Sequence, residues 1–136
     1  MTRAFKTKEK FNPNDPFIKF SNDRWNMKQY VNFIKEYIDE NYSKEIQLKD
    51  LATIVHVSVS YLSICFKREM GVSFTEYLVR YRINKAKEIL LEKNITCKEA
   101  AYYVGYEDYV QFSKMFKKYI GCTPTQIQKD KINTTK

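Results

Sequence analysis

Apolar residues recur at helical spacing along most of this chain. From Trp25 onward, Tyr30, Val31, Ile34, Tyr37 and Ile38 fall at i, i+1, i+4, i+7 and i+8, one face of a helix. "LKDLATIV" then places Leu48, Leu51, Ala52 and Val55 on one stripe of a short helix, and "HVS" makes a brief turn. Ser58 stands where a hydroxyl can cap "VSYLSICFKREM", whose Leu62, Cys65, Phe66 and Met70 form the predicted buried side. Gly71 ends that helix, because glycine takes up the left-handed backbone after a helix without penalty.

Later helices announce themselves by their caps. "SFTE" from Ser73 and "TCKE" from Thr96 have capping-box spacing, and "DYVQ" from Asp108 is a variant with aspartate as cap. "TPTQ" from Thr123 adds proline at the first helical position, where its missing N–H is no loss. Between Ser73 and about Glu92 a long helix turns Phe74, Tyr77, Leu78, Tyr81, Ala86, Ile89 and Leu90 inward. The pattern predicts seven helices and no strand, an all-α chain.

Two stretches are printed twice. "FKREMGVS" at Phe66 returns as "FKKYIGCT" at Phe116, 50 residues later, and "LSICFK" lies over "FSKMFK" at the same separation. Upstream, "LATIVHV" matches "AAYYVGY" at a separation of 49, so the second copy has one extra residue in its turn. Each copy reads as a short helix, a tight turn and a second helix with Lys or Arg near its end. That is the helix-turn-helix pattern, in which the second helix enters the DNA major groove and the first braces it. The expected organisation is a basic tail or linker at 1–24, where Pro13 and Pro16 sit among unperiodic charge. A first helix-turn-helix subdomain follows at 25–72, a linker helix at 73–93, a second subdomain at 94–130 and a C-terminal tail at 131–136. About 20 residues of linker helix span about 30 Å, close to the ~34 Å between successive major grooves on one face of DNA.

Composition narrows the partner. The 136 residues carry a formal net charge of +8, six Lys/Arg and three Asp/Glu of it within residues 1–24, and the excess favours a polyanion. Cys65, Cys97 and Cys122 are odd in number and lack metal-ligand or CxxC spacing, so reduced thiols in a cytoplasmic protein are expected. No stretch of 18 apolar residues is available to cross a membrane, and the N-terminus lacks the apolar core of a signal peptide. His56 is the sole histidine and reads as a turn residue. With no carboxylate constellation, phosphate loop or metal-ligand pairing, neither an enzyme nor a cofactor, metal or small-molecule site is expected.

"LKDLA", "VSYLSICFKREMGVSFTEYL", "RINKAKEIL" and "EAAYYVGYEDYVQFSKMFKKYIGCTP" together resemble the DNA-binding domain of the AraC/XylS family of bacterial transcription regulators, over about residues 27–130. The resemblance implies two helix-turn-helix subdomains joined by a long helix, double-stranded DNA as partner, and promoter binding with contact to RNA polymerase. Activation is the main expectation, with a repressor or a protein-interaction module that retains the fold as alternatives. It further implies either a small stand-alone regulator or the output part of a longer chain, since 24 residues cannot fold into a sensor domain.

Helical geometry nominates the reading faces. If Leu62, Cys65 and Phe66 go inward, Ser60, Ser63, Ile64 and Lys67 face out; if Phe112, Met115, Phe116 and Tyr119 go inward, Tyr109, Val110, Ser113, Lys114 and Lys117 face out. The resemblance puts base contacts at Ser60, Ser63, Ile64, Tyr109, Val110 and Lys114, and Ser113 shares that face. Lys67, Arg68, Lys117 and Lys118 suit phosphates. Arg82 on the long helix is a further phosphate candidate, the alternative for it and for Arg80 being to brace the subdomains. Tyr102, Tyr103 and Tyr106 are expected mainly to pack, with one or two of them available to meet a partner. Departures from the family pattern are Val110-Gln111 where Ser-Tyr is common, Lys114 where Arg is common, and Gln47 where a Ser or Thr cap is expected. With no Arg, Asn or Gln on the first reading face, bidentate recognition of guanine or adenine is missing there. Ile64, Tyr109 and Val110 are instead suited to thymine methyls, so an A·T-rich site is expected.

Overall fold

Side-chain caps set the helix starts in the computed structural model, which describes residues 25–134, with side chains to 131. The expected tail at 1–24 lies outside the described residues, as do residues 135 and 136. Helix α1 (Met27–Asn41) opens on a box that the sequence reading passed over, Asn26 Oδ1 accepting from Gln29 N at 2.9 Å and Gln29 Oε1 from Asn26 N at 2.8 Å. Helices α2 (Leu48–Ile54) and α3 (Val59–Met70) follow, and Ser58 Oγ accepts from Tyr61 N at 3.0 Å. Gln47 gives α2 no side-chain cap. Helix α4 (Phe74–Glu92) is capped by Ser73 Oγ, accepting from Glu76 N at 3.1 Å. Helix α5 (Cys97–Tyr103) has both arms of its box, Thr96 Oγ1 to Glu99 N at 3.0 Å and Glu99 Oε1 to Thr96 N at 2.8 Å. Asp108 caps α6 (Tyr109–Ile120), and Thr123 with Gln126 closes a reciprocal box on α7 (Pro124–Thr134). These are seven helices, with no strand among the described residues.

The described residues divide into two units, 25–41 with 46–76 and 42–45 with 77–134. The helix predicted over 73–93 runs from Phe74 to Glu92; its residues 74–76 belong to the first unit and the rest to the second. In the first unit Ile34 and Ile38 of α1, Leu51 and Ala52 of α2, and Leu62, Cys65 and Phe66 of α3 are buried. Phe33 and Ile46 are buried as well, which the predicted stripes omitted, while Tyr37 is half-buried. The axes of α2 and α3 meet at 105°, within the ~90–120° range of helix-turn-helix pairs.

The second unit is built around Ile83, Ala86, Leu90, Ala100, Ala101, Val104, Phe112 and Phe116. Ile83, absent from the predicted stripe of the long helix, is fully buried there. The tail expected from 131 is also corrected, because α7 continues to Thr134. Lys131 Nζ donates to Leu90 O and Lys93 O, both at 3.0 Å, so a cation satisfies carbonyls at the C-terminal end of α4.

Both helix-turn-helix turns use one hydrogen-bond scheme. Val57 N donates to Ala52 O at 3.1 Å and Tyr106 N to Ala101 O at 2.9 Å; His56 N donates to Thr53 O at 3.2 Å and Gly105 N to Tyr102 O at 3.0 Å. The 49-residue offset is therefore real in the backbone, and Glu107 is the added residue before the Asp108 cap.

Candidate nucleic-acid interface

Helix α3 keeps its polar face outward because Leu62, Cys65 and Phe66, spaced i, i+3 and i+4, are buried on the other side. Ser60, Ser63, Ile64, Lys67 and Arg68 are all exposed, Ile64 at 52%. A solvent-facing isoleucine beside two serines offers methyl and hydroxyl contacts without charge, and Lys67 and Arg68 follow in the last turn.

Helix α6 buries Phe112 and Phe116, with Tyr106 and Tyr109 rings 5.4 and 5.8 Å from Phe112. Tyr109, Val110, Ser113, Lys114, Lys117, Lys118 and Thr123 line one shallow concavity of about 540 Å³ on its outer side. Val110 is 64% exposed and Lys114, Lys117 and Lys118 are exposed, so the expected set is brought together on one surface.

Two expected contacts also bond within the protein. Tyr109 is half-buried, and its hydroxyl hydrogen-bonds with the side chains of Thr125 and Cys97. Burial raises its pKa above the ordinary tyrosine value, and Cys97 adds to the rise while the Thr125 bond opposes it. Arg82, expected on phosphate, donates from Nε to Tyr42 O and from Nη2 to Lys44 O, both at 2.7 Å. Burial lowers its pKa, partly opposed by Tyr106. Two carbonyl acceptors inside its own unit thus take Nε and Nη2, one edge of the guanidinium fork. Arg80 likewise lies over the Tyr119 ring at 5.2 Å, and Lys118 Nζ lies at 5.2 Å from the same ring.

The tyrosines of α5 and of the turn after it differ in exposure. Tyr106 packs in the turn, but Tyr102 and Tyr103 are 78% and 55% exposed. They border, with Ser43, Gly105, Tyr106 and Glu107, a second concavity of about 450 Å³.

Charge is uneven between the units. Residues 25–41 and 46–76 carry five Lys/Arg and six Asp/Glu, whereas 42–45 and 77–134 carry twelve and seven. The basic excess of the described chain sits with α6 rather than α3. Among the described residues no group of three His, Cys, Asp or Glu side chains is placed to hold a metal ion, and no single helix is long and apolar enough to cross a membrane.

These features agree with likeness to known proteins. A family model described as a helix-turn-helix domain matches residues 51–130. Over 108 residues the chain is 32% identical to the bifunctional transcriptional activator/DNA repair enzyme AdaA of Bacillus subtilis, covering 79% of this chain and 51% of that protein. The chain spans about a third to a half of the first curated relatives it matches, 37% and 51%. Among solved structures, the C-terminal domain of the two-component response regulator yesN from Fusobacterium nucleatum superposes with a TM-score of 0.68 at 37% identity, covering 74% of this chain and 98% of that one. The DNA-binding domain of the global transcriptional factor AdpA, solved in complex with a target DNA, shares the fold at a TM-score of 0.69 and 17% identity over 74% of this chain and 90% of that one. Paired helix-turn-helix turns and a family match over more than half its length place this chain in the AraC-type helix-turn-helix family of DNA-binding domains.

Proposed function

We propose that this chain binds double-stranded DNA in a sequence-dependent way as the DNA-binding part of a bacterial transcription regulator. Helices α3 and α6 each enter a major groove, and α4, 19 residues long, lies between them in the chain. The observation that carries the reading is the doubled face: Ser60, Ser63 and Ile64 on α3 and Val110, Ser113 and Lys114 on α6 are turned outward, each followed by a basic pair. Lys67, Arg68, Lys117 and Lys118 are assigned to phosphates, and Tyr109 to an edge contact beside Val110.

Exposed Ile64 and Val110 support an A·T-rich site through thymine methyls. The regulator is read as a cytoplasmic activator that touches RNA polymerase, and as non-enzymatic. The repair-enzyme activity named for AdaA belongs to a protein of which this chain matches 51%. Selection of bound sequences from random DNA, with affinity followed against salt, tests the proposal. Neutralising about six phosphates gives a log–log salt slope of about −5. Weak binding that ignores salt, or enrichment of G·C-rich half-sites, would overturn the DNA reading or the A·T reading respectively.

The exposed Tyr102 and Tyr103 favour a second reading, contact of α5 with a protein. It predicts that Tyr102→Ser leaves DNA affinity intact.

A further inference from the structure

We infer that Arg82 is a positioning residue for the second recognition helix, acting through the α1–α2 loop and the α5–α6 turn. The inference rests on the reading of α6 as a groove-binding helix. Within the second unit, Arg82 grips the carbonyls of Tyr42 and Lys44 at 2.7 Å each. The carbonyl between them, Ser43 O, faces the turn: a Cβ at Gly105 would lie 3.1 Å from it and 3.4 Å from Arg82 Nε. Gly105 has φ 102°, and its lack of a side chain is what lets the loop close on the turn.

The next residue transmits the contact. Tyr106 is half-buried, its pKa raised by burial and lowered by the Arg82 charge. Its amide is held by Ala101 O at 2.9 Å, and its ring meets Phe112 edge-on at 5.4 Å. Phe112 is fully buried in α6, on the side away from Val110 two residues before it and next in the chain to Ser113. Arg82, loop, Gly105, Tyr106 and Phe112 therefore form a chain of contacts ending on the buried side of α6, which sets how its outward face is held. A guanidinium suits the first link because its rigid fork serves two carbonyls while its charge stays on in a partly buried place.

The test compares Arg82→Met and Arg82→Lys with the unaltered 136-residue protein on its selected site and on unrelated DNA. In Arg82→Met the affinity ratio between the two falls on the order of tenfold, the size of one lost base contact, while the salt slope is unchanged. The Tyr106 and Gly105 amides exchange faster with solvent, and the Leu62 amide does not. A uniform loss on both DNAs with the slope reduced by about 0.9 would make Arg82 a phosphate contact and overturn the inference. Unchanged discrimination with normal folding would also overturn it. Should Arg82→Met not fold, Arg82→Lys decides: the charge is kept, so full discrimination supports a phosphate role and reduced discrimination supports positioning. If the unaltered protein binds no DNA, the proposed function fails, whereas unchanged Tyr106 and Gly105 exchange in the variant defeats the grip of Arg82 itself.

Discussion

His56 holds, at φ 59°, the same left-handed turn position in the first helix-turn-helix that Gly105 holds at φ 102° in the second. Their amides make matching bonds, to Thr53 O and Tyr102 O. A β-carbon in that region crowds the following carbonyl, at about 1–2 kcal/mol, although glycine gives some of this back by enlarging the freedom of the unfolded chain. His56→Gly is therefore expected to stabilise the protein by up to about 1 kcal/mol, read as a rise in the urea midpoint with no change in slope.

At Gly105 the sign reverses. Alanine there meets both the unfavourable φ and Ser43 O at 3.1 Å, a backbone atom that cannot swing aside. Gly105→Ala is expected to destabilise by about 1–3 kcal/mol in chemical denaturation. It should also disturb amides 42–45 more than those of α3.

Lys131 offers a test of the helix end. Its amine serves two carbonyls of the α4 terminus, Leu90 O and Lys93 O. Lys131→Met keeps much of the stem and removes the donors, so a loss of about 1 kcal/mol is expected in thermal or urea unfolding. No loss would mean that water serves these carbonyls equally well.

The lysines of α6 separate by role. Lys114→Ala is expected to weaken binding to the selected site by about 1–3 kcal/mol and to relax sequence preference at one position. Lys117→Gln is expected to weaken binding to all DNA alike and to lower the salt slope by about 0.9. Titrations at several salt concentrations distinguish the two, and matching behaviour would return Lys114 to the phosphate set.

The uneven charge of the two units yields a further expectation. With twelve Lys/Arg against seven Asp/Glu, the unit of α6 supplies the basic excess, whereas the unit of α3 has five against six. Removing charge from Lys117 and Lys118 together is expected to weaken association at low salt more than removing it from Lys67 and Arg68. Association rates at low and high salt measure this, since screening removes exposed charge effects beyond about 10 Å at 0.1 M.

What could be read from the chain is what lies close in it. Ser58, Thr96, Asp108 and Thr123 were legible as caps because each bonds an amide two or three residues on. Asn26 and Gln29 carried the same signal and could have been found in the same way. The outward faces of α3 and α6 were legible because helical periodicity assigns both sides once Leu62, Phe66, Phe112 and Phe116 are inward. Periodicity ranked burial less well where a stripe is wide, so Phe33 and Ile83 were omitted although both are buried, and Tyr37 was overrated.

By itself, then, the sequence determined the helices, their caps, the doubled turn and the outward residues, since backbone hydrogen bonding and 3.6-residue periodicity act within a few residues. Tertiary structure alone decided which polar side chains remain available. Arg82 reaches acceptors 40 and 38 residues away, and Lys131 reaches acceptors 41 and 38 away. A cation's identity says that it will seek an anion or a carbonyl, but which one lies within 3 Å depends on how distant segments pack.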